Sequence, residues 1–205
     1  MFASSLKRTD ERARRPEAGQ SAIELAIGIP LVLLPTLFRM LNIGLLVTDK
    51  VMAAYAVRQG ARVAAQLGNG QTTNPALTTL QLDQNACQAV VASASSLVFA
   101  NLEEIDIYNA SNSATANGDG SMVSPPAPSA LYDSYDPACN PTRAGTFPAV
   151  GSGGILDPTG RVQVPPDETS IGVRLTWKYT APTGTQRFSV TVSDYTVMRA
   201  AVVPG

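Results

Sequence analysis

Apolar and polar residues along the chain fall into three regimes. The first is an apolar run from Leu25 to Val47, LAIGIPLVLLPTLFRMLNIGLLV, 23 residues with one charge at Arg39. As a helix rising about 1.5 Å per residue it spans about 34 Å, enough for a hydrocarbon core of about 30 Å. The helical pattern then runs on through Met52, Tyr55, Val57 and Val63 to Leu67. A cleaved secretory signal has a shorter apolar stretch, about 7–15 residues, followed by a small-residue cleavage site. Pro30 and Pro35 each remove one backbone hydrogen bond inside the span and are expected to bend it. A membrane helix tolerates this when its neighbours satisfy the freed carbonyls.

The second regime is amphipathic. Gly68-Asn69-Gly70 supplies a glycine-type stop to the first helix. Asn74-Pro75 reads as a cap and first helical position. Leu77, Leu80, Cys87, Val91, Ala94 and Val98 recur at spacings of three, four or seven, which predicts a helix over about 76–100.

The third regime alternates with period two. Glu103 to Tyr108 predicts a short strand with Ile105 and Ile107 on one face. Ile171, Val173, Leu175, Trp177 and Tyr179 alternate with polar residues and Gly172, and Phe188, Val190 and Val192 do the same. Pro182-Thr183-Gly184 between them supplies the turn of a hairpin. Residues 111–168 are rich in Pro, Gly, Ser, Asn and Asp with little period, a long loop region with a brief strand at Arg161–Val164. Length without structure of this kind marks functional or mobile segments.

The expected fold class is therefore α+β. A long N-terminal transmembrane and amphipathic helix leads to a second helix and a small antiparallel β-sheet head. The division expected is a basic leader at 1–19, the transmembrane helix at 20–48, its extracytoplasmic continuation at 49–67, and a head at 76–205.

Charge orients this arrangement. The net charge is -1, but residues 1–19 carry five basic and three acidic side chains while the remainder carries ten and thirteen. Basic residues before an apolar run keep the N-terminus in the cytoplasm and send the head across. Charged residues make up only 15% of the chain, so its polar part is mostly uncharged, as is common outside the cytoplasm. No basic surface points to nucleic acid. Arg58 and Arg62 share a helical face and read as a solvated stripe.

The chain has no histidine, which removes the most frequent general base and metal ligand. No metal cluster replaces it, so no enzyme, metal or cofactor is expected. Asp119, Asp133, Asp136 and Asp157 lack the alternation and closing Glu of a calcium loop and read as turn residues. Cys87 lies on the apolar stripe of its helix and Cys139 in the loop region. Cys87 reads either as a buried thiol or as the partner of Cys139. Outside the cytoplasm the disulfide is the expected state.

Glu24 is the unusual residue, since a carboxylate entering a membrane helix is costly unless paired. Arg39, about 22 Å further along, either snorkels to the outer headgroups or meets a neighbouring subunit's carboxylate. Gly19 stands five residues before Glu24, after the basic stretch. This Gly-x-x-x-x-Glu arrangement resembles the class III signal of type IV pilins, which implies prepilin peptidase cleavage between Gly19 and Gln20. The new amine of Gln20 on one subunit would then pair with Glu24 of another and set their register.

More of the chain carries a narrower resemblance. GQSAIELAIGIP, up to Pro30, resembles the opening of TadE-like proteins, the minor pilins or pseudopilins of tight-adherence (Flp) pili. Tyr55-Ala56-Val57-Arg58-Gln59-Gly60-Ala61-Arg62 resembles their second helical stretch, and Tyr195-Thr196-Val197-Met198-Arg199 their terminal strand. Arg39, Pro35 and Gln59 depart from the family pattern. The resemblance implies a pilin-like fold and a minor subunit. Its partners would be prepilin peptidase, other pilins, the assembly platform and membrane lipid. The competing reading is an unprocessed signal-anchored envelope protein whose head binds an extracytoplasmic ligand.

Overall fold

The computed structural model describes residues 15–68, 79–127, 129–142, 156, 160–163, 166–182 and 188–200. Six elements follow in order: α1 (Arg15–Leu67), α2 (Thr79–Ala94), β1 (Ala100–Asn109), β2 (Tyr132–Tyr135), β3 (Ser170–Thr180) and β4 (Ser189–Arg199). The class is α+β, as the sequence patterns indicate.

α1 is one helix of 53 residues that continues through Pro30 and Pro35. Thr36 donates its hydroxyl to Val32 O (2.8 Å) and Thr48 donates to Gly44 O (2.9 Å), each bonding back to the preceding turn. The helix has two halves. From Ala22 to Leu41 every residue is exposed save half-buried Gly28. Further along, Ala53, Ala56, Val57, Gly60, Ala61, Ala64 and Ala65 are buried. Gly68, at φ +51°, closes the helix through its N–H to Ala64 O (3.1 Å). The other expected cap residues, Asn69, Gly70, Asn74 and Pro75, lie outside the described residues, as do Thr183 and Gly184 of the expected turn.

The buried stripe of α1 is made almost wholly of Ala and Gly, so a second helix can come close. α2 does so with Leu82, Ala86, Cys87, Val90 and Ala94. At the closest point a Cβ on Gly60 would overlap Val90 Cγ2 and crowd the carbonyl of Ala86 at 3.2 Å. Neither neighbour yields easily: one is backbone and the other is β-branched and buried. Gly60→Ala is expected to destabilise the head by about 1–3 kcal/mol, outweighing the helix-propensity gain of about 1 kcal/mol. Gly44→Ala, with nothing within 4 Å of the added methyl, isolates that propensity term. Thermal melts of the detergent-extracted variants make the comparison; equal melting of the two would remove the close-approach argument.

The sheet is antiparallel throughout, in the order β2-β1-β3-β4. Its core strand is β3, whose alternating Ile171, Val173, Leu175, Trp177 and Tyr179 are all buried. β3 and β4 pack against α1. Gly172 of β3, between Ile171 and Val173, is buried because the Tyr108 ring lies where its Cβ would be. Tyr108 is held there by donating to Gly120 O (2.8 Å).

β3 runs opposite to α1. Gly68, at the top of the helix, sits against the side chain of Gln163, shortly before β3. Tyr179, at the far end of β3, donates its hydroxyl to Asn42 O (3.1 Å). β3 and the segment just before it therefore lie along the rise from Asn42 to Gly68, about 39 Å.

The sequence pattern differs from the structure in three places. The second helix ends at Ala94 rather than near 100. There Ser95 and Ser96 bond back to Ala92 O and Ser93 O, and Asp49 of α1 captures the next backbone amides. Arg161–Gln163 form no strand; Val162 instead closes a local turn with Thr169. The region read as one long loop contains β2, paired to β1 from Ile105↔Tyr135 to Tyr108↔Tyr132.

Candidate functional site

The exposed half of α1 is the first part of the site. Its most apolar window has none of its residues buried, and the helix is long and apolar enough to cross a membrane. The Gly19–Gln20 bond lies within α1, which begins at Arg15. Glu24 is exposed. It borders a shallow groove formed by Leu25, Gly28, Ile29, Val32, Leu33 and Thr36. Glu24, Gly28 and Val32 stand at i, i+4 and i+8, so Gly28 cuts a notch one turn above the carboxylate. Arg39 is exposed too, about 22 Å up the axis, so one chain does not bring it to its own Glu24.

The second part is the junction between anchor and head. Asp49 follows the apolar run and is buried. Its carboxylate accepts from Val98 N (3.1 Å) and Phe99 N (3.5 Å), where the chain leaves α2 for β1. With the Tyr179–Asn42 bond, this fixes the base of the head to the helix. In sequence, Asp49 reads only as the first charged residue after the span. Its partners lie about 50 residues away, and no local spacing shows them. Arg58 and Arg62 are exposed on the outer face, as a solvated stripe should be.

The third part ties the segment after β1 to α2. Cys87 and Cys139 form a disulfide across 52 residues. One turn before Cys87, Asp83 takes a forked ion pair from Arg161 Nη2 at 2.7 and 2.8 Å, fully buried on both sides. Asp133 of β2 lies beside this pair and accepts from Leu156 N (3.3 Å). Burial first, and then the charge of Asp83, push the Asp133 carboxyl up to about 8, against the partial relief of Arg161. A proton on Asp133 lets it face Asp83 as a donor rather than as a second anion.

This sets a sign for pH. The folded pKa stands above the unfolded value of 3.8, so the stabilisation is complete below about pH 4 and drains away as pH rises toward about 8. Head stability is expected to fall by about 1–3 kcal/mol between pH 5 and pH 8.5. Asp133→Asn is expected to flatten that slope. Urea titrations at both pH values test it, and an unchanged slope in the variant would refute the assignment.

Two other aspartates serve their own turns. Asp119 accepts from Ser121 N and Oγ, which holds it below the usual carboxylate range. Asp136 accepts from Asn140 and Ala138, with the same result. Asp157 lies outside the described residues.

Comparison with known families gives one match. Residues 19–62 match the family model described as TadE-like protein. The matched stretch begins at Gly19 and ends at Arg62, both within α1; α2 and the sheet lie beyond it. No curated protein and no solved structure matches the chain.

Proposed function

We propose that this chain is a minor pilin or pseudopilin-like subunit of a tight-adherence pilus, a pilus-associated structural role in keeping with its TadE-like segment. It would be inserted with the N-terminus inside, cut between Gly19 and Gln20 by prepilin peptidase, and drawn into the assembly through α1. The observation that carries the reading is the exposed half of α1. A 20-residue apolar stretch with a carboxylate at its start, none of the described residues packed over it and a head fastened to its other end suits insertion into lipid first and a helix bundle later. Within the bundle the Gln20 amine of one subunit and Glu24 of the next would neutralise each other. Buried pairs of that kind act chiefly on register. The Gly28 notch lets a second helix approach close to that pair.

N-terminal sequencing of membrane-extracted protein, from cells with and without the peptidase, tests the processing step. A start at Gln20 that depends on the peptidase supports it. An intact leader in both would favour the unprocessed signal-anchored protein with a ligand-binding head. Glu24→Ala is expected to be cut normally yet to reduce pilus yield on cells at least about tenfold, since an unpaired amine in an apolar bundle costs several kcal/mol. Normal pili from this variant would discard the register role.

A further inference from the structure

The base of the head carries two bulky apolar side chains that no core residue covers. Val98 is 63% exposed and Phe188 is 53% exposed. Scattered apolar residues on a surface need no explanation, so what counts here is where these stand. Thr180 N donates to Phe99 O and Ala181 N donates to Phe188 O, both at 2.9 Å. Val98 and Phe188 therefore sit at the same end of β1, β3 and β4, about two strand spacings or 10 Å apart. It is also the end at which α1 enters the head. Tyr179 reaches Asn42 there, and the chain continues beyond Tyr179 toward the exposed half of the helix before it turns.

The length below this level is telling. The apolar run Leu25–Val47 spans about 34 Å, enough to fill a hydrocarbon core, and ends two residues before Asp49, which accepts from Val98 N. The span therefore ends where the head begins, with no gap for a stalk. Cations flank this end of the head over about 16 Å of the helix axis. Arg39 is exposed three residues below Asn42, Lys50 is exposed one residue after Asp49, and Lys178 is exposed next to Tyr179.

We propose that the base of the head is a lipid-docking surface, resting on the reading of α1 as a membrane helix. Val98 and Phe188 enter the boundary between headgroups and acyl chains, while Arg39, Lys50 and Lys178 face lipid phosphates. Apolar side chains at that depth gain from burial, and basic ones gain from anionic lipid. A single helix leaves a head free to tilt; two inserted side chains beside it hold the sheet upright on the bilayer.

The test uses single tryptophan reporters in the full chain, one copy per nanodisc, with phosphatidylglycerol and phosphatidylethanolamine brominated on the acyl chains. The buried native Trp177 is subtracted using the parent protein. Phe188→Trp and Val98→Trp are expected to lose much of their emission to shallow bromines. Val162→Trp, an exposed site toward the far end of the head, is expected to lose almost none. Leu33→Trp, in the middle of the free helix, reports on the anchor itself and is expected to be quenched by deep bromines. If Leu33→Trp is quenched but the two rim reporters match Val162→Trp, the docking surface is overturned and the anchor stands. If Leu33→Trp is unquenched, both fall. Rim quenching that needs several copies per disc would assign the surface to contact between copies and overturn lipid docking.

Discussion

Replacing Arg161 with methionine is expected to lower the stability of the head by about 3–5 kcal/mol, because it leaves buried acid without its cation. Asp83 and Asp133 share one buried site, and the Arg161 guanidinium is the positive charge between them. Its Nη2 holds both oxygens of Asp83, while Nε and Nη1 find no hydrogen-bond partner among the described residues. The gain from the pair is therefore modest and the penalty for breaking it large. Without the relief of Arg161 the Asp133 carboxyl moves further up, so its proton is kept at both pH 5 and pH 8 and the deficit should differ little between them. Urea denaturation of the oxidised, detergent-extracted protein at pH 5 and pH 8 reads both effects. A loss below about 0.5 kcal/mol at pH 8, as for an ordinary surface change, would sink the argument.

Loss of the disulfide in Cys87→Ala/Cys139→Ala is expected to cost about 2–4 kcal/mol, with the chain-entropy value for a 52-residue loop near the upper end. It should also open the segment between β2 and β3 to limited proteolysis before the sheet itself is cut. Asp83 and Cys87 are one turn apart on α2, so the ion pair and the disulfide restrain the same segment. Losing both should then cost less than the two single losses added together. Cys139 adds a local term. It sits at φ +60°, a conformation that disfavours non-glycine residues by about 1–2 kcal/mol, held by its N–H to Asp136 O (2.8 Å). Cys139→Gly should accordingly be the milder single variant. Equal melting of the oxidised parent and the double variant would refute the restraint.

Long-period and short-period features of the chain were legible because each reflects one dominant force. The apolar run of α1 answers to hydrocarbon, and the alternation of Ile171 to Tyr179 answers to a sheet with one face on the helix. β2 was not legible. Its sequence, Tyr132-Asp133-Ser134-Tyr135, has two polar residues at its centre, and both are buried. Ser134 donates to Asp106, which also takes Arg174 at 2.8 Å, while Asp133 faces the Asp83–Arg161 pair. Period rules read polar residues as solvent-facing, and these are kept inside by partners that are distant in sequence. The end of α2 failed for a related reason. Val98 fits the helical stripe, but Asp49 draws its amide away. In the site, the Cys87–Cys139 pairing could be read from residue type and an extracytoplasmic head. Gly60 could be read only as part of a family-like stretch, and its close approach to Val90 emerges with α2 in place. Asp49, Tyr179 and the Gly28 notch have no local signature.

The absence of any hinge between the span and the head within α1 has a mechanical consequence. Tension applied to the N-terminal half passes directly into Ala53, Ala56, Gly60 and Ala64, which are also the core of the head. α2 flanks that segment, and β3 with the segment just before it runs along it from Asn42 to Gly68. A pull along the axis therefore loads these contacts together, in shear, instead of peeling them one row at a time. A subunit drawn out of a bilayer by its helix would carry its head with it as a single rigid body.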